Sequence, residues 1–322
     1  MALDAFALIL AMLLLGMAFR RLGVFGDAAA ETLNQVVLYV CLPAAVLRYA
    51  PQLGFDLSLL GLIAVPWLLL ALTVPWVAWL ARRLGLRRDE RAVLLLTTAL
   101  GNTSFLGFPL VHALLGEAAL PYAVVYDQFG SFLILSSFGL YVLARYGDHS
   151  RHPASRGTSP SLDVGGREPT VADIGRRIVR FPPFLALVFG LTLMPAEPPA
   201  WIAGGLQRLA DALLPLVVLA IGITIRLKLP RDELKPLVAG LAGKLVLMPL
   251  LAFALTWPLG LRGTLAQAAV LEAAMPPMIT AAALAISHRL APGLAAALVG
   301  YGILLSLFTL PAWTWLLTRV FA

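Results

Sequence analysis

Charge is scarce in this chain: Asp, Glu, Lys and Arg make up 13% of its 322 residues, against about a quarter in soluble proteins. Cysteine is scarcer still. Cys41 stands alone, which excludes an internal disulfide and any multi-cysteine metal site. It lies in an apolar run and is expected to pack as a small hydrophobe. Of the four histidines, His149 and His152 fall in a polar, basic stretch where solvation is expected rather than metal binding. There is no GxxxxGK[ST] loop, so nothing in the chain reads as an ATP-driven motor. HExxH and GxSxG are missing too, which leaves no constellation for an intramembrane enzyme. No cofactor, metal or nucleic-acid partner is expected.

What is abundant is apolar sequence. Hydrophobic residues reach 60%, and the mean hydropathy is +0.89. Apolar runs of about 18 residues or more recur along nearly the whole chain, which predicts an all-α polytopic membrane protein. The pattern gives ten transmembrane helices, over 3–22, 32–50, 57–81, 91–115, 120–146, 178–195, 201–228, 234–258, 264–290 and 294–320. Asp4, not a basic cluster, precedes the first run, so a cleaved signal peptide is not expected.

The net charge of +7 is read as an orientation signal rather than as a nucleic-acid footprint. About 19 of the 24 basic residues fall in alternate connections. These are Arg20 and Arg21; Arg82, Arg83, Arg87, Arg88 and Arg91; the group from Arg145 through Arg180; the group from Arg226 to Lys235; and Arg289. By the positive-inside rule these loops are cytoplasmic and both termini lie outside, at the inner (plasma) membrane. Residues 147–177 are rich in Ser, Pro, Gly and charge, with too few apolar residues for a core. They read as a flexible cytoplasmic linker between a first five-helix repeat, 1–146, and a second, 178–322.

The halves echo each other. Pro43 in the second span corresponds to Pro215 in the seventh, and PWLLLALTVPWVAWL in the third to LVLMPLLAFALTWPL in the eighth. Pro109 in the fourth span corresponds to Pro276 and Pro277 in the ninth. An odd number of spans per half inserts the copies in opposite directions, the inverted-repeat plan of secondary transporters.

The stretch GNTSFLGFP, Gly101 to Pro109, is poor material for a lipid-buried helix. Pro109 lacks an N–H and crowds the preceding turn, while Gly101 and Gly107 ease departure from helical geometry. With a matching break at Met275-Pro276-Pro277, two half-helix ends would face one cavity. Free N–H groups at half-helix N-termini suit a carboxylate, and Asn102, Thr103 and Ser104 add directional hydrogen bonds. Intramembrane ionisable residues are functional candidates by default. Gln128 is expected to orient substrate. Asp127 either binds a coupled proton or cation or pairs with a basic residue. Lys244 either balances an anionic substrate or neutralises Asp127 or Glu272, and Glu272 suits gating or proton coupling. Arg208 and Asp211 are expected to form a local pair. Asn34 and Gln35 are weaker candidates, and His112 and His288 are expected near span ends.

The run Asn102-Thr103-Ser104-Phe105-Leu106-Gly107-Phe108-Pro109 resembles the N-T-x-x-x-G-x-P crossover of the auxin efflux carrier family. Leu42-Pro43-Ala44, Asp127-Gln128, Lys244 with Met248-Pro249, and Met275-Pro276-Pro277 extend the resemblance over essentially the whole chain. It implies two inverted five-helix repeats with helices four and nine broken and crossing near the centre. It also implies a scaffold and a transport unit moving by an elevator-like or rocking motion, and a homodimer. The expected substrate is a small organic anion such as an indole acid, malonate or malate, with a proton or sodium ion as the conceivable coupled species. The alternatives are a coupled carrier of another substrate class on the same plan, or a transporter-like sensor.

Overall fold

The computed structural model describes residues 2–26, 28–53, 57–147, 171–224 and 231–321. Among the described residues every regular element is helical. The helices run in the order α1 (Ala2–Leu22), α2 (Ala29–Gln52), α3 (Ser58–Leu84), α4 (Arg88–Ala99), α5 (Thr103–Leu115) and α6 (Glu117–Tyr146). There follow α7 (Val171–Arg180), α8 (Pro182–Thr192), α9 (Ala200–Thr224), α10 (Leu234–Thr256), α11 (Gly263–Ala273), α12 (Ile279–Ser287) and α13 (Pro292–Val320). Six of them, α2, α3, α6, α9, α10 and α13, are long and apolar enough to cross a membrane, and α5 and α8 are shorter apolar helices.

Of the stretch expected as a linker, 147–177, residues 148–170, with His149 and His152, lie outside the described residues, and Val171–Arg180 is helical. The spans 91–115 and 264–290, in which breaks were expected, are each two helices, α4 with α5 and α11 with α12.

Prolines shape the long helices through widened turns. Val37–Cys41, Thr103–Gly107 and Gly243–Leu247 are π-helical, and each ends just before a proline, Pro43, Pro109 and Pro249. Proline lacks a donor, and its ring crowds the carbonyl four residues back. Adding one residue to the preceding turn moves that carbonyl aside. In the widened turns Leu42 N–H donates to Val37 O, and Met248 N–H to Gly243 O. Helix α6 carries two further π turns, Asp127–Ser131 and Leu135–Gly139. By contrast Pro66 and Pro75 sit inside α3, which stays α-helical, and α9 is interrupted at Ala212, ahead of Pro215.

A widened turn leaves a carbonyl over, and hydrocarbon offers it no water. Two tryptophans answer this. Trp67 Nε1 donates to Phe129 O at 3.0 Å and Trp313 Nε1 to Leu245 O at 3.1 Å, each acceptor lying in a π turn.

The helices bury two apolar clusters. One collects Leu13, Val46, Leu62, Val124, Val217, Ala269 and Leu310 from α1, α2, α3, α6, α9, α11 and α13. The other collects Val77, Leu94, Leu140, Leu241, Leu284 and Leu298 from α3, α4, α6, α10, α12 and α13. Leu100 belongs to the second cluster and Phe105 to the first, so the α4–α5 break lies where the clusters meet. The outer surface carries Leu60, Trp201 and Phe308, all exposed, as suits a lipid-facing surface. Trp313→Phe keeps the ring and deletes the donor to Leu245 O. It should lower stability by about 1–3 kcal/mol, measured by thermal unfolding in detergent; an unchanged melting temperature would contradict this role for the indole.

Candidate functional site

The two breaks touch. Gly101 and Pro277 form an antiparallel β-bridge, in which Asn102 N–H donates to Pro276 O at 2.8 Å and Met278 N–H donates to Leu100 O at 3.0 Å. Asn102 O then accepts from the N–H groups of Leu106 and Gly107, starting α5, while Met278 O accepts from Ala282 N–H, starting α12. Asn102 and Met278 therefore each direct the N–H across the bridge and the C=O to their own half-helix. The sequence placed the first break within Gly101–Pro109. The non-helical backbone falls at the start of that stretch, at Leu100–Asn102, while Pro109 follows Phe108 inside resumed α-helix after the π turn.

Both half-helices begin at a cavity of about 400 Å³. Its wall includes Asn102, Ser104 and Phe105 from the start of α5, and Met278, Ile279 and Thr280 from the start of α12. Among the described residues, the N–H groups of Thr103, Ser104, Ile279 and Thr280 meet no backbone acceptor. That is the ordinary condition of helix N-termini, whose partial positive charge favours an anion. Asn102 is buried, and its Nδ2 has no partner. A half turn about its last torsion exchanges amide oxygen and nitrogen, which presents either a donor or an acceptor to the cavity.

Asp127 also reaches this wall. Its Oδ1 accepts from Thr103 Oγ1 and Ser104 Oγ, both at 2.5 Å, and its Oδ2 accepts from Gln128 Nε2 at 2.7 Å. The carboxylate thus ties the first turn of α5 to the π turn of α6, and it does not pair with a basic residue. Gln128 Oε1 is buried without a partner.

Lys244 and Glu272 lie behind the bridge. Lys244 Nζ donates to Ala273 O at 3.1 Å, capping the last carbonyls of α11, where a cation suits the negative end of the helix dipole. Its ammonium also crosses Gly101 so closely that a Cβ there would lie 3.0 Å from Nζ. Glu272 is 0% exposed, and neither carboxylate oxygen has a hydrogen-bond partner. A Cβ on Gly107 would lie 2.5 and 2.7 Å from those two oxygens, so only glycine leaves room for this carboxylate.

Of the expected site residues, the cavity wall holds Asn102, Ser104 and Asp127. Thr103, Gln128, Met275, Pro276 and Pro277 form the layer behind it, and Pro109 faces a second cavity of about 380 Å³ together with His112, Tyr49 and Asp211. Asn34 and Gln35, weak candidates by sequence, line the main cavity, joined by Glu31, Thr224 and Thr280, which sequence patterns did not single out. The expected Arg208–Asp211 pair does not form. Asp211 Oδ1 accepts from Gln207 Nε2 at 2.8 Å, and Gln207 Oε1 accepts from Tyr49 at 2.9 Å.

Removing the hydroxyls that hold Asp127, by Thr103→Val with Ser104→Ala, should cost about 1–3 kcal/mol for each lost bond. The loss should shrink in an Asp127→Asn background, measured as a double-mutant cycle of thermal stability. Equal losses in both backgrounds would mean that the hydroxyls act elsewhere.

Residues 2–314 match the family described as Membrane transport protein. The chain is 32% identical over 313 residues to a protein of Methanothermobacter thermautotrophicus described as an uncharacterized transporter, covering 95% of each chain. It is 24% identical over 320 residues to another so described from Methanocaldococcus jannaschii, covering 98% of each. Two broken helices that meet at Gly101 and Pro277, a cavity where they meet and this end-to-end match lead to one conclusion: the chain belongs to the membrane transport protein family, the auxin efflux carrier family that its crossover motif resembles.

Proposed function

We propose that the protein is a secondary transporter of a small organic anion, working by alternating access. The observation that carries this is the convergence of two half-helix N-termini, at Thr103–Ser104 and Ile279–Thr280, on one cavity beside the Asn102 amide. The free N–H groups offer a carboxylate several donors without requiring a buried cation. Among the described residues the cavity wall holds no Lys or Arg, and there the helix ends and Asn102 supply the attraction.

The fold proposed is ten spans in two inverted repeats, 1–146 and 178–322. Packing supports it. Helix α1 lies along the Leu213–Thr224 part of α9, and α8 along the Leu42–Tyr49 part of α2. The Ala200–Asp211 part of α9 also touches Leu42–Tyr49, while Leu213–Thr224 touches Ala29–Val36, so α2 and α9 run antiparallel. In each proposed repeat, then, the first helix packs on the second helix of the other repeat, as an inverted pair requires. We assign α1, α2, α8 and α9 to a scaffold and the crossing helices to the moving transport unit, in a homodimer. The cavity reaches Glu31, Phe181, Thr224 and Ile286, all at helix ends that adjoin basic connections. With those connections cytoplasmic and both termini outside, this arrangement is inward-facing.

A second reading has a specific observation behind it. Asp127 and Glu31 on the wall, with no Lys or Arg beside them among the described residues, favour a cationic or neutral solute in a coupled carrier of another class. Uptake of radiolabelled malonate, malate and indole-3-acetate into proteoliposomes separates the two. One of the acids should move, and Asn102→Ala should reduce its transport about tenfold, the effect of losing about 1.4 kcal/mol of interaction. If none of the acids moves or binds while a cationic or neutral solute does, the second reading replaces the first.

A further inference from the structure

A carboxylate completely removed from solvent, with neither oxygen hydrogen-bonded, is among the costliest groups a protein can hold in ionised form. Glu272 is such a group, and Asp127 is not, since three donors already meet its oxygens. From the elements packed against α11, the ionisable groups that act on Glu272 are Lys244 of α10 and Asp127 and Tyr126 of α6; α3, α5 and α13 add none among the described residues. Lys244 is the natural partner by charge, yet its ammonium is bonded to the Ala273 carbonyl. A bound metal cation would gather several oxygen ligands, whereas the Glu272 oxygens press against the backbone of Gly107. A proton needs only one lone pair.

The geometry points to Glu272 as a proton-binding site coupled to the crossover, holding its proton in the arrangement seen here. The deduction deepens the transporter reading and rests on it for the word coupled, but the site itself stands on the burial and bonding of this one side chain. The step balances simply. The carboxyl O–H bond breaks, the proton leaves to water in the cavity past Asp127, and the bonding pair stays on the oxygen as the negative charge of a carboxylate. The new charge then competes for Lys244. Moving Nζ from Ala273 O to Glu272 uncaps α11 at the bridge and shifts the ammonium that lies against Gly101. Proton release is thereby converted into a change at the pivot of the two broken helices.

The test is infrared spectroscopy of the purified full-length protein in nanodiscs, titrated over pH, with carbon-13-labelled glutamate or aspartate. A protonated-carboxyl band that shifts with glutamate labelling, is lost in Glu272→Gln and survives in Asp127→Asn is the expected result. Glu272→Asp keeps the test open if Glu272→Gln fails to fold: the band should then shift with aspartate rather than glutamate labelling, and a band that still shifts with glutamate labelling overturns the assignment. A band that shifts only with aspartate labelling, or that persists unchanged in Glu272→Gln, overturns the assignment. In proteoliposomes a malonate gradient should alkalinise or acidify the lumen through wild type, and Glu272→Gln should abolish at least nine-tenths of that pH change. Malonate flux without a pH change overturns the coupling. If no acid moves but the glutamate band behaves as expected, the anion reading fails and the proton site stands.

Discussion

Everything at the centre of this molecule depends on satisfying backbone groups where water is excluded. A helix that breaks inside a bilayer strands N–H and C=O groups that lipid cannot accept. The protein meets this by breaking two helices at one point and letting each supply the other. Asn102 N–H finds Pro276 O, and Met278 N–H finds Leu100 O. Neither break is affordable alone. The N–H groups that the exchange leaves over, at the starts of α5 and α12, lie at the cavity, so the donors there are the remainder of a structural solution.

The side chains around the crossing divide the electrostatic work. Asp127 is held by Thr103, Ser104 and Gln128 and joins α5 to α6. Lys244 closes the end of α11. Glu272 is left with van der Waals neighbours alone, and Gly107 makes that possible by having no side chain. Three ionisable residues buried close together thus have three different bonding states. Charge count in the sequence cannot distinguish them, since their hydrogen-bond partners are two hydroxyls and an amide, a main-chain carbonyl, and nothing.

Much of this was legible in the residues. Low charge and recurring apolar runs indicated membrane helices, and GNTSFLGFP and MPPM marked the two interruptions. Asn102, Ser104 and Asp127 do line the cavity. What failed did so for identifiable reasons. Within Gly101–Pro109 the sequence did not say which end carries the break: proline forbids a helical hydrogen bond, but a π turn absorbs Pro109 and the non-helical backbone falls at Leu100–Asn102. Arg208 and Asp211 looked paired by spacing, but Gln207 stands one turn from Asp211 and is itself held by Tyr49 from α2. Glu31, Thr224 and Thr280 reach the cavity through tertiary placement that no local pattern records.

The two consecutive prolines at the crossing have one more effect. An antiparallel bridge ordinarily extends, because the next residue along each strand can donate in turn. Pro276 has no N–H to return to Asn102 O, which is left free to start α5. Pro277 likewise has nothing to add. The contact between the two halves therefore stays at a pair of hydrogen bonds around Gly101 and cannot zip into a ladder. A ladder would be a seam that resists rotation. Two bonds about a glycine join the broken helices at a single point, with no sheet between them.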